Sequence, residues 1–228
     1  MVSTCHQKML FLSVALFTAL IAAAMAALWP GLILRNSSSK IQPIHLTSSS
    51  SHSSPTPLSQ PDFVWYTDPD SGFAIQYPRG WNVLALEQNP GIEFDNGPVP
   101  TAICQVLVPP SDLLPRSQRV AALNWVNFEL DSLSSSFHDV QYLVTGQSTV
   151  IIDGEPWRTR SVTIRTASGQ VDIQVYAGVH KGQPYIINLL TVMTQGINAS
   201  FLYHRYFQHI LASFHFNRPN PAGGSDIR

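Results

Sequence analysis

Charge is scarce in this chain. Asp, Glu, Lys and Arg make up only 12% of its 228 residues, against roughly 25% in an ordinary soluble domain, so part of the polypeptide is not built to face water. The 13 Lys and Arg against 14 Asp and Glu leave a formal net charge of −1, which excludes the strongly basic surface that nucleic-acid binding usually needs. Cysteine is scarcer still: there are two, Cys5 and Cys104, on opposite sides of a long apolar run, and they exclude a disulfide-stapled scaffold. Also missing are HExxH, CxxC and His-x-His patterns, a Gly-x-Ser-x-Gly elbow and a Gly-rich phosphate loop. With them go the sequence signatures of zinc chemistry, acyl transfer and phosphate binding. The expectation is a protein with no cofactor, no metal and no enzymatic activity.

What is present sorts by position. Residues 9–34 are 26 positions without Asp, Glu, Lys, Arg or His, long enough at 1.5 Å rise per residue to cross a hydrocarbon core of about 30 Å. Ala24-Met25-Ala26 offers the small residues of a cleavage site, but signal-peptide cores run only about 7–15 residues. The run is therefore read as an uncleaved transmembrane signal-anchor, with a cleaved signal peptide as the alternative. No Cys stands just after it, which removes lipoprotein anchoring, and residues 1–8 become a short cytoplasmic segment. Residues 36–61 hold ten Ser, two Thr and four Pro, with Lys40 the only Lys, Arg, Asp or Glu. Such a composition cannot repay its ordering entropy, so residues 35–61 are expected to be a disordered linker. Residues 62–217 form the globular domain, placed outside the cytoplasm at the cell membrane, and 218–228 a disordered tail.

Within the domain, short strand patterns alternate with two helical ones, which predicts an α+β fold. Phe73, Ile75 and Tyr77 alternate with Ala74 and Gln76, and Pro78-Arg79-Gly80 then leads into residues 81–86, together read as a hairpin. Residues 92–94 and 102–108 are further strands. Val120, Leu123, Val126, Leu130, Leu133 and Phe137 recur every three or four residues, predicting a helix over 117–137 that covers a sheet face. Strands follow at 140–144, 149–152, 157–166, 171–179 and 185–193, linked by Asp153-Gly154, Ser168-Gly169 and Lys181-Gly182, the Gly-bearing turns of antiparallel neighbours. A second helix over 198–213 turns Tyr203, Tyr206, Phe207, Ile210 and Leu211 inward and His204, Arg205, Gln208 and His209 outward, before a short strand through Phe214 and Phe216.

The stretch Trp65-Tyr66-Thr67-Asp68-Pro69 followed by Gly72-Phe73-Ala74-Ile75-Gln76-Tyr77-Pro78-Arg79-Gly80-Trp81 resembles the opening of PsbP-like domains and their DcrB-like bacterial relatives. The strand-turn Val150-Ile151-Ile152-Asp153-Gly154 and the closing Ser213-Phe214-His215-Phe216 are similar to theirs too. The resemblance implies an α/β/α sandwich with a mainly antiparallel sheet and one helix on each face, and a protein-binding role without catalysis. It carries no binding residue with it, because Phe73, Tyr77, Pro78 and Trp81 have the character of core and turn.

Candidate sites are few. His204 and His209 read as solvated helix residues rather than metal ligands, and Asp68-Pro69-Asp70-Ser71-Gly72 as a turn, since neither its Gly nor any Glu matches calcium-loop spacing. Cys104 sits mid-strand as a small buried hydrophobe. Arg158 and Arg160 alternate with Trp157 and Thr159 and project from one strand face. On a domain with 8 basic and 13 acidic residues, net −5 over 62–217, they are the candidate anion or partner-docking patch. Two functions follow as expectations: a membrane-anchored domain binding an envelope protein partner, or a small-ligand carrier or sensory ectodomain with a pocket between the sheet and the first helix, lined by Trp125.

Overall fold

A computed structural model describes residues 61–86, 90–98, 100–136, 141–166, 169–193 and 198–217. The predicted membrane run and tail lie outside them, as does the linker except for Pro61. Among the described residues no helix is long and apolar enough to cross a membrane.

Ten strands make two antiparallel sheets: β1 (Phe63–Asp68), β2 (Phe73–Pro78), β3 (Asn82–Ala85), β4 (Gly91–Asp95), β5 (Ala102–Leu107), β6 (Gln141–Ile152), β7 (Glu155–Thr166), β8 (Gly169–His180), β9 (Gln183–Met193) and β10 (His215–Phe216). The larger sheet has the order β3-β4-β5-β9-β8-β7-β6 and the smaller β1-β2-β10. Helix α1 (Ala122–Ser136) packs on β7, β8 and β9. The C-terminal helix runs continuously through α2 (Ala199–Leu202), a π turn (Tyr203–Phe207) and α3 (Gln208–Ser213), and packs on β2 and β9. The predicted α+β sandwich is therefore what the chain forms, with one refinement: the layer opposite α1 is a helix together with a small sheet.

Strand alternation divides the core in two. Ile103, Val175 and Leu190 face α1 with Trp125, Val126 and Leu130, whereas Cys104, Tyr176 and Leu189 face the C-terminal helix with Phe207, Ile210 and Phe214. Because both faces of β9 are covered, residues Pro184 to Val192 are all buried, and the strand reads as an apolar run rather than an alternation.

Three expectations are corrected. Strand β2 does not form a hairpin with β3: it pairs with β1 and β10, while β3 pairs with β4 in the larger sheet. Phe73, Ala74 and Ile75 are all buried, so β2 needs neighbours on both edges, and the chain leaves through a turn at Gly80, φ 89°, into the other layer. Strand β1, absent from the pattern reading, supplies one of those neighbours. The first helix starts at Ala122 rather than residue 117, and Val120 is 77% exposed; the Trp125 indole donates 2.8 Å to the Arg119 carbonyl, holding the preceding turn outside the helix. Finally, the strands expected at 140–144 and 149–152 are one strand, β6, with its register shifted between Thr145 and Ser148. The Ser168-Gly169 link and Phe137 lie partly or wholly outside the described residues.

Candidate functional site at a sheet edge

The two ends of the seven-stranded sheet differ. At one, β3 is only four residues long; at the other, β6 runs for twelve residues without a single Asp, Glu, Lys, Arg or Pro. Natural edges are blunted by brevity, charge, proline or bulges, and β6 has only the bulge. Gly146, φ 65°, makes the shift between Thr145 and Ser148, leaving residues 148–152 as regular strand. Leu143, Val144 and Ile151 are 53%, 37% and 67% exposed.

The turn between β6 and β7 fixes which backbone groups are free. Asp153 and Gly154 have φ 47° and 77°, a two-residue turn with both central residues left-handed. Ile152 and Glu155, which flank it, therefore exchange both ladder bonds, and Ile151 opposite Pro156 forms the next, non-bonded pair. The N–H and C=O of Ile151 thus point away from β7 to the open edge. Pro156 is tolerated for the matching reason: pairing of β7 with β8 starts only at Arg158 opposite Ala177.

Arg158 and Arg160 overhang this edge. They share the α1 side of the sheet, opposite buried Ala177 and Val175. Arg158 Nη1 donates to Thr149 Oγ1 at 2.6 Å and Arg160 Nη2 to Gln147 Oε1 at 3.1 Å, so both guanidinium groups lie across β6. Among the described residues the ion pairs are Arg79–Asp62 and His180–Glu155; neither arginine has a carboxylate. Arg160 Nε is buried without an acceptor. Arg165 lies apart on the other face and donates to Gln170 Oε1 at 3.3 Å. Sequence reasoning found the arginine pair. It missed the bare edge beneath them, whose signal was twelve uncharged residues around Gly146.

The remaining candidates fall elsewhere. His209 is not a solvated helix residue: it is half-buried, its Nε2 is 2.6 Å from Gln76 Oε1, and its ring stacks on Phe63 with centroids 3.9 Å apart. His204 is exposed. Asp68 closes its turn by accepting from the Ser71 N–H at 2.8 Å. Among the described residues no three His, Cys, Asp or Glu are placed to hold a metal ion. Cys104 is fully buried and burial pushes its thiol up, so in a Cys5→Ser chain iodoacetamide is expected to leave it unmodified until denaturant unfolds the domain. Labelling of the native protein at the rate of a free thiol would contradict that burial.

Trp125 is a core residue rather than a cavity wall. It is fully buried against Phe128, and a cavity of about 290 Å³, which it does not line, lies on the other side of the sheet, between β8, β9 and the start of the C-terminal helix, among Asp172, Gln174, Thr191, Ser200, Tyr203 and Phe207. Its polar lining is already partly paired: Asp172 Oδ1 accepts from Thr163 and Gln170, and Gln174 Oε1 from Tyr176.

No protein-family model and no curated protein matches the chain. Solved structures do. The chain is similar to cyanobacterial PsbP (CyanoP) from Synechocystis sp. PCC 6803, with TM-score 0.54, 15% identity, and 71% of this chain and 96% of that one covered. It is also similar to the Saccharomyces cerevisiae Ran-binding protein Mog1p, with TM-score 0.50, 13% identity, and 69% and 97% covered. The described domain thus has the PsbP-like fold.

Proposed function

We propose that this chain is a membrane-tethered, non-enzymatic PsbP-like domain that works outside the cytoplasm by binding a protein partner in the cell envelope. The observation that carries the reading is the pair Arg158 and Arg160, two charges without carboxylate partners among the described residues, held over an uncharged, exposed strand. A net −5 domain that keeps two unpaired cations at one edge presents a local field of the opposite sign, and such a field orients an acidic partner. The fold supports the reading, since one protein that shares it, Mog1p, is Ran-binding. Residues 9–34 supply the anchor and residues 35–61 the reach with which a tethered domain searches near the membrane at raised local concentration.

The test is crosslinking of the full-length protein in its native membrane, capture, and identification of what co-purifies, beside a chain ending at residue 61 and an Arg158→Glu/Arg160→Glu chain. A stoichiometric protein lost from both variants is expected. A partner held equally by the double variant removes the arginines from the interface. Protease added to intact cells is expected to cut the linker at residues 35–61 and release residues 62–217, and a domain released only after the membrane is opened would place it inside.

A further inference from the structure

We propose that the open edge of β6 takes an extended acidic segment of a partner protein as an added strand, its main chain pairing with Ile151 and two of its carboxylates meeting Arg158 and Arg160. This rests on the partner-binding reading above and gives it a chemistry and a geometry. The backbone part follows from the turn: Ile151 sits at a non-bonded pair with β7, so its N–H and C=O face outward, and an extended peptide adds to such an edge by main-chain hydrogen bonds. The side-chain part follows from the arginines. Each already reaches across β6, to Thr149 and to Gln147, so each guanidinium stands where a carboxylate one strand further out can meet it. The two are one strand repeat apart, about 7 Å, so the acidic residues of the added strand alternate with one residue between them. Ile151, on the same face, asks for an apolar neighbour beside them.

Two other occupants fit the charges less well. A second copy of this chain, pairing β6 to β6, brings its own Arg158 and Arg160 to the same edge, and like charges across paired strands are unfavourable. The chain's own residues 35–61 contain no Asp or Glu.

The probe is a labelled peptide, Thr-Ile-Thr-Glu-Thr-Glu-Thr-Ile-Thr, titrated into the full-length protein and read by fluorescence anisotropy, with a peptide carrying Gln in place of both Glu as control. Ile151→Pro removes the outward donor without touching the ladder to β7, an edge position where proline is tolerated, and Ile151→Thr keeps the donor. The expected result is binding weakened about tenfold or more by Arg158→Glu/Arg160→Glu, by the Gln peptide and by Ile151→Pro, and little changed by Ile151→Thr. Protection of the Ile151 amide from exchange on peptide binding is expected as well. No binding to the wild-type protein, equal binding of the Gln peptide, or indifference to Ile151→Pro overturns the proposal. So does a dimer of the protein alone that Ile151→Pro dissolves, which identifies the occupant as a second copy. Failure here with a native partner still lost in Arg158→Glu/Arg160→Glu leaves the partner-binding reading standing and removes only the added strand.

Discussion

Replacing Trp157 by Ala is expected to remove about 3–5 kcal/mol of folding stability, the range for deleting a fully buried large aromatic. Trp157 has 0% exposure and stands where the C-terminal segment closes on the large sheet: Phe214 packs edge-on at 5.3 Å and Phe216 lies stacked at 6.2 Å between ring centroids. Its ring also lies over a glycine, for a Cβ on Gly178 would come within 2.5 Å of Trp157 Cε2. That contact explains a glycine inside a strand that otherwise gains nothing from one. Because the Trp157 Nε1 is buried without a hydrogen-bond partner, Trp157→Phe deletes an unsatisfied donor along with some volume, and it is expected to lose far less than Trp157→Ala. Denaturant titration of the three proteins checks the order. Equal losses for Phe and Ala would mean that the indole nitrogen matters and has an acceptor.

The second large effect lies under α1. Glu93 on β4, Gln105 on β5 and Asn188 on β9 stand in one row across the sheet, all of them buried. Gln105 donates 2.7 Å to Glu93, and Asn188 donates 2.6 Å to Glu129, which descends from α1. Burial pushes both carboxyls above their ordinary range, while these hydrogen bonds pull the other way. Asn188→Leu strips Glu129 of that donor and is expected to destabilise the fold by about 2–3 kcal/mol at neutral pH. Glu129→Gln keeps a hydrogen-bonding group there and removes the charge. A carboxyl raised in the folded state binds more protons folded than unfolded, so its contribution falls as pH rises from the unfolded value, about 4.3, through the folded one. Glu129→Gln is therefore expected to be more stable than wild type at pH 7, by a margin that closes as the pH falls to 4. A margin independent of pH between 4 and 7 would show that Glu129 does not carry the titration.

Much of this fold is legible in residue order, and the failures have physical causes. Period-2 and period-3.6 patterns locate β7, β8, β9, α1 and the C-terminal helix because each buries one face or both against a neighbour that continues the pattern. The β2–β3 turn misleads because Pro78-Arg79-Gly80 has the composition of a hairpin, and whether the next strand returns beside β2 is decided by the buried Phe73, Ala74 and Ile75, which need partners from residues 63–68 and 215–216. Val120 misleads because an apolar residue in phase with a helix joins it only if the backbone continues, and here the Trp125–Arg119 hydrogen bond holds the turn apart. At the site, the arginine pair is visible as alternation. That its neighbouring strand is uncharged can be read from residues 141–152, but that this strand ends the sheet is a fact of sheet order, which no local pattern encodes.

The proposed partner protein docks on the β6 edge. A photocrosslinking amino acid placed at Ile151 of the full-length protein in its native membrane tests this most directly, with the same group at Val120, which is more open, 77% exposed against 67%, but lies before α1, as the comparison. A discrete crosslinked partner is expected from position 151, absent from position 120 and abolished by Arg158→Glu/Arg160→Glu. A partner captured from position 120 and not from 151 would contradict it and move the interface to another face of the domain.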